Sequence, residues 1–279
     1  MFYFQLKSEL WKLFAKKRSY MGFSMFLLAQ LLIVLIFRYS NAQQSILRSV
    51  SRAGFNGERY LSMLTIATVM VTVLAYTLLP LYVALVGGDF VSKEVEDGTL
   101  RMILCRPISR VRLLCVKWLA GFVFACVLVL SLGAFALMFC AIWFPTTGGL
   151  FIVIPGQGLA VYEMADGLKH YALAHLFLVA KASTILSLAF MFSCFDMKPA
   201  AATVLALSLI LIDRILMELP YFQDLQHWFL GNYLNTWQMM FAERIPWWKT
   251  GESLSVMIGA SLTFVVIGAT AFQVRDIKS

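Results

Sequence analysis

Charge is scarce in this chain. Of its 279 residues only 14% are Asp, Glu, Lys or Arg, where a soluble domain carries about 25%. Chemistry-bearing motifs are missing too. No G-x-x-x-x-G-K-[ST] occurs, which excludes nucleotide binding by a P-loop. The three histidines, His170, His175 and His227, show no H-E-x-x-H or comparable spacing, so no metal site is expected. No G-x-S-x-G marks a nucleophile elbow, and the five cysteines form no C-x-x-C. The chain is therefore not expected to be an enzyme. A secretory leader is absent as well: residues 1–18 are amphipathic and charged, no small-residue cleavage site follows, and the first apolar run is expected to stay as an uncleaved anchor.

What fills the chain is hydrophobic: 61% of residues, with a mean hydropathy of +0.80. Six apolar runs, about 20–37, 61–87, 118–144, 170–192, 199–217 and 254–272, each suffice to cross a hydrocarbon core of about 30 Å as a helix. They predict one all-α domain over 1–279, a bundle of six transmembrane helices. The second and third runs are longer than a perpendicular crossing needs, so they tilt or project beyond the bilayer. Pro80 lies inside the second run and is expected to kink it.

Charge orients the bundle. An even number of spans puts both termini on one side. That side, with the segments at 88–117 and around Lys198, collects 14 of the 23 Lys and Arg. Seven fall on the opposite face and two, Lys181 and Arg214, within spans. The positive-inside rule then makes both termini and 88–117 cytoplasmic, in a bacterial inner (plasma) membrane. The net charge of +8 is spread over several loops, which fits membrane orientation and not a nucleic-acid partner. With Cys105, Cys115, Cys126, Cys140 and Cys194 all inside or within spans, no disulfide framework is expected.

Residues 2–17 place Tyr3, Leu6, Leu10, Leu13 and Phe14 at helical spacing, with Lys7, Glu9, Lys12 and Lys16 on the other side. Such a helix lies in the headgroup layer, lysines towards anionic lipid. Of the outer segments, 145–167 is rich in Gly and Pro with a strand-like patch at 151–154. The segment 218–253 is crowded with aromatics and is read as one or two short helices dipping into the outer interface.

Two groups of residues stand out as candidate sites. Ionisable groups within spans mark function in membrane proteins. Lys181, near the middle of the fourth span, and Asp213, towards the outer end of the fifth, belong to antiparallel neighbours. They line a solvated substrate path, or neutralise one another with lysine reaching outward along its stem, or Asp213 and Arg214 simply reach headgroups. The second group is the polar block 88–117. Asp89–Asp97 continues the second span, Gly98 breaks it, Thr99 caps a short helix over 100–105, and Arg106-Pro107 breaks again. Ser109 caps the helix that returns to the membrane. The result is a short exposed helix with Leu100, Met102, Ile103 and Leu104 set among charges, as a docking surface requires.

The run E-x-E-D-G-T-L-R-x-x-L-x-R-P-I-S-R at 94–110, followed after six residues by Lys117, resembles the signature between the second and third spans of type-2 ABC exporter permeases. The matching positions are Glu94, Glu96, Gly98, Thr99, Leu100, Arg101, Leu104, Pro107, Ser109, Arg110 and Lys117. The ending Phe272-x-x-Arg275-Asp276-Ile277, the amphipathic first helix and the aromatic segment before the last span, similar to re-entrant outer helices, agree with it. The resemblance implies that 88–117 carries a coupling helix seated in a separate ATPase, contacted through Glu94–Arg106 with Pro107 and the residues after it leading back to the membrane. It also implies two ATPase copies holding the ATP and Mg, no cofactor in this chain, and a second permease subunit, identical or related, completing the path across the bilayer. An ion-coupled secondary transporter is the alternative. It calls for inverted repeats and paired midplane carboxylates, and Asp213 alone offers little of that.

Overall fold

The computed structural model describes residues 2–52, 54, 57–105, 108–154 and 158–275. Helices α1 (Phe2–Ala15), α2 (Lys17–Tyr39), α3 (Ala42–Arg52), α4 (Gly57–Tyr60), α5 (Met63–Tyr76), α6 (Leu78–Glu96), α7 (Thr99–Leu104) and α8 (Arg110–Trp143) come first. Strands β1 (Leu150–Ile154) and β2 (Gly158–Tyr162) follow, then α9 (Met164–Cys194), α10 (Pro199–Glu218), α11 (Leu230–Leu234) and α12 (Trp247–Val274). Five helices are long and apolar enough to cross a membrane, six when α5 and α6 count as one bent span. We call the end of the bundle that carries α7 proximal and the other distal.

Helix α9 is the axis. It packs against α6, α8, α10 and α12, and both faces are buried over most of its length. Its sequence allows this because the crowded positions are small: Ala174, Ala182, Ser183, Thr184, Ser187 and Ala189. Ser183, Thr184 and Ser187 donate to the carbonyls four residues back, so their hydroxyls cost little inside the bundle. Close approach reaches its limit at Gly87 and Gly88. A Cβ on Gly87 would meet the Leu186 carbonyl oxygen at 2.8 Å, and one on Gly88 would meet Thr203 at 2.5 Å. Ser193 fixes the same crossing by accepting the Val91 and Ser92 N–H groups at 2.8 and 3.0 Å.

The second span departs from the single run expected at 61–87. It is broken at Thr77 and bent by 44°, and it continues to Glu96. The break falls where Pro80 acts: the proline lacks an N–H for the Tyr76 carbonyl four residues back, and its ring crowds that carbonyl. Thr77 closes the α5 end by donating its N–H and its hydroxyl to the Val73 carbonyl.

The distal end adds one short β element to the helical bundle. The patch at 151–154 belongs to a two-stranded antiparallel hairpin, with Phe151 opposite Val161 and Ile152 opposite Ala160. The hairpin is sewn to the start of α5: the Ser62 hydroxyl donates to the Gly149 carbonyl, and the Phe151 N–H donates to Thr65 Oγ1. Helix α9 starts at Met164 and α12 at Trp247, each several residues before the hydrophobic runs predict. The aromatic segment is mostly 3-10, over Pro220–Trp228 and Thr236–Phe241, with α11 between. Its aromatics divide. Trp237 and Phe241 enter the core, joined by Met240, while Tyr221 and Trp228 stay exposed.

Candidate functional site

Two places gather the sequence-predicted residues. At the proximal end, α6 stops because Gly98 takes φ +70, a left-handed conformation that favours glycine, and donates its N–H to the Val95 carbonyl. Helix α7 then packs at that end of the bundle. Leu100 anchors it, 1% exposed, and Ile103 packs against the core, while Met102 points away and is 67% exposed. Arg101 and Leu104 lie within α7, their side chains outside the described residues, as are Arg106 and Pro107 altogether. Ser109 accepts the Arg112 N–H and starts α8, and the Thr99 hydroxyl donates to the Glu94 carbonyl.

Beneath α7 lies a buried charge cluster. Lys117, whose side chain is 1% exposed, donates to Glu94 Oε1 at 2.6 Å and to Glu9 Oε2 at 3.1 Å. Lys12 pairs with Glu9 at 2.6 Å and approaches Glu94 at 3.9 Å. One cation thus ties together α1, the end of α6 and the start of α8. Burial works to raise the Glu9 carboxyl, but Lys117 and Lys12 together outweigh it and hold its pKa below the usual value. Two expectations change here. Glu9 belongs to the packed face of α1 and not to a solvated one, and Glu94 turns inward to Lys117. Glu96 remains outside, bound to Lys93 at 2.7 Å.

Sequence reasoning matched Lys117 to a motif but missed its partner on α1. The signal was there: Gln5, Glu9 and Leu13 recur every four residues, which sets Glu9 on the stripe that packs against α8. Around the cluster, Arg18 pairs with Asp89 at 2.7 Å. Arg110 donates to the Gln273 and Arg275 carbonyls that end α12, and Arg275 reaches Asp196 and the Phe195 carbonyl. Asp276 and Ile277 lie outside the described residues.

The second place is a cavity of about 390 Å³ beside the α5–α6 break. Lys181 and Asp213 both line it but do not pair. Lys181 is 3% exposed, and its Nζ lies 4.6 Å from the centre of the Tyr76 ring. The Arg214 guanidinium lies 4.9 Å from the same ring. Asp213 instead accepts the N–H groups of Leu230 and Gly231, at 3.1 and 2.5 Å, and so holds the start of α11. The histidines are used structurally: His175 donates from Nδ1 to the Tyr171 carbonyl, and His170 Nδ1 meets the Met240 carbonyl. Among the described residues no three His, Cys, Asp or Glu side chains gather as metal ligands.

Long apolar helices, with ionisable groups lining a cavity beside the α5–α6 break and the short helix α7 at the proximal end, make up an integral membrane bundle. The ABC-2 family transporter protein profile matches residues 11–228, and the chain belongs to that family, whose members are transporter permeases working with a partner ATPase. No curated protein matches the chain.

Proposed function

We propose that this chain is the membrane subunit of an ATP-driven exporter, coupled to a separate ATPase through α7. The observation that carries the reading is how α7 is mounted. Its outward side is exposed at Met102, its inward side is anchored by Leu100, and beneath it Lys117 links α1, α6 and α8. A push on α7 therefore reaches three helices through buried contacts and not through a flexible loop. Both termini and α7 are assigned to the cytoplasmic side of an inner membrane by the positive-inside distribution of Lys and Arg. Helix α1 lies at that interface: Glu9 and Leu13 face the bundle, while Phe4 and Trp11, 73% and 76% exposed, face outward into lipid.

Two ATPase copies and a second permease subunit, identical or related, complete the transporter. Gly98, Thr99 and Leu100 form and seat the coupling helix, and Glu96, with Arg101, Leu104, Arg106 and Pro107, belongs to its contact segment. ATP and Mg reside on the ATPase.

The test is affinity purification of the chain from native membranes, identification of any P-loop protein retained, and reconstitution of both into vesicles. The reading expects ATP hydrolysis that depends on the permease. Recovery of the intact chain with no ATPase, and ion-gradient-driven transport in its place, would replace it with the secondary-transporter alternative.

A further inference from the structure

We infer that the cavity beside the α5–α6 break is a binding site for an amphipathic anion, its acid group on Lys181 and its apolar chain along the walls. This deepens the proposed exporter by naming the class of molecule the bundle takes, and it rests on that reading for transport but not for binding.

Lys181 carries the inference. It is buried in the middle of α9, its one contact of note is the Tyr76 ring, and among the described residues no carboxylate forms an ion pair with it. A buried cation normally has such a partner. The nearby carboxylates are committed elsewhere: Asp213 to two backbone N–H groups, and Glu218 to Arg214 at 3.8 Å in an exposed pair. Arg214 shares the Tyr76 ring with Lys181, so two cations face one region, and an anion bound there would relieve their repulsion.

The walls define the rest of the ligand. Pro80, Leu81, Ile185, Leu207, Ile210 and Leu211 line the cavity and offer no polar side chain. Leu81 and Leu211 are also exposed on the apolar flank of the bundle, 45% and 58%, so the cavity opens sideways towards lipid. A small inorganic ion would leave these walls bare, whereas an alkyl chain covers them.

The experiment measures equilibrium binding to the purified chain in phosphatidylcholine nanodiscs, with no ATPase present. The probes are hexadecyl sulfate and hexadecyltrimethylammonium, which share a tail and differ in charge. The expected result is at least tenfold tighter binding of the sulfate, a tenfold or greater loss in Lys181→Met, and retention in Lys181→Arg. Should Lys181→Met fail to fold, Arg214→Gln, at the half-exposed mouth, is expected to weaken the sulfate several-fold. Equal binding of the two probes, or sulfate binding indifferent to the folded variants, would overturn the inference. Competition by phosphatidylglycerol identifies a resident lipid headgroup, and ATP-dependent movement of the sulfate across ATPase-loaded vesicles identifies cargo. Loss of that movement with binding intact would count against the exporter reading alone.

Discussion

Replacing Lys117 with methionine removes the cation shared by Glu9 and Glu94 while keeping much of the side-chain volume. Breaking a buried ion pair by deleting one partner costs about 3–5 kcal/mol, because the remaining charge is left without compensation. Here two carboxylates are left, but they retain 11% and 14% exposure and Lys12 stays 2.6 Å from Glu9, which sets the expectation at about 3 kcal/mol, the lower end of that range. Neutralising both acids as well, in a Lys117→Met, Glu9→Gln, Glu94→Gln variant, should recover most of the loss, since a neutral cluster is not penalised by desolvation. The assay is reversible unfolding in mixed micelles, with limited proteolysis reporting on release of α1. Single-variant stability within about 0.5 kcal/mol of the parent would refute the claim that Lys117 holds three helices together, and so would a triple variant no better than the single.

Other consequences follow from the same geometry. Glu94→Lys should destabilise the bundle itself, whereas Glu96→Lys, on an exposed carboxylate, should leave unfolding unchanged and lower ATPase stimulation; the two variants compared in one unfolding and hydrolysis series separate the roles. Gly98→Ala meets open space, so its cost is the left-handed backbone alone, about 1–2 kcal/mol; a thermal unfolding series checks it. Because the folded pKa of Glu9 is lowered, its contribution is full above the unfolded value of 4.5 and disappears as pH falls through the folded value. The hydrogen-exchange protection factors of α1, corrected for intrinsic exchange, should therefore fall on acidification below about pH 4.5 in the parent and lose that step in Glu9→Gln. Gly88→Leu should prevent assembly of α6 against α10, since even a Cβ would lie 2.5 Å from Thr203; absence of the monodisperse protein after purification is the readout.

The sequence made the membrane class and the polar block legible because both are properties of runs. Apolar stretches set the spans, and Gly98 and Ser109 set a local break and a cap that need no distant partner. The misses came from distant partners. Glu9 looked solvated because lysines flank it, and its burial depends on Lys117, 108 positions away. Lys181 and Asp213 line one cavity, but the N–H groups of Leu230 and Gly231 claim the aspartate, and no periodicity forecasts a donor from another segment. Strand β2 escaped notice because Gly158–Tyr162 begins with glycine and has no run of β-branched residues like that of β1. The break at Thr77 lay one turn before Pro80 because a proline acts on the carbonyl four residues behind it.

The central claim is that α7 touches an ATPase. A photo-crosslinking residue in place of Met102, the outward-facing position of α7, tests it directly in membranes that contain the partner. The expected result is a crosslink to the ATPase that Leu211, on the flank of the bundle, does not give when labelled in the same way. A Met102 probe that captures only lipid or this chain, while ATP-dependent transport proceeds, would contradict it.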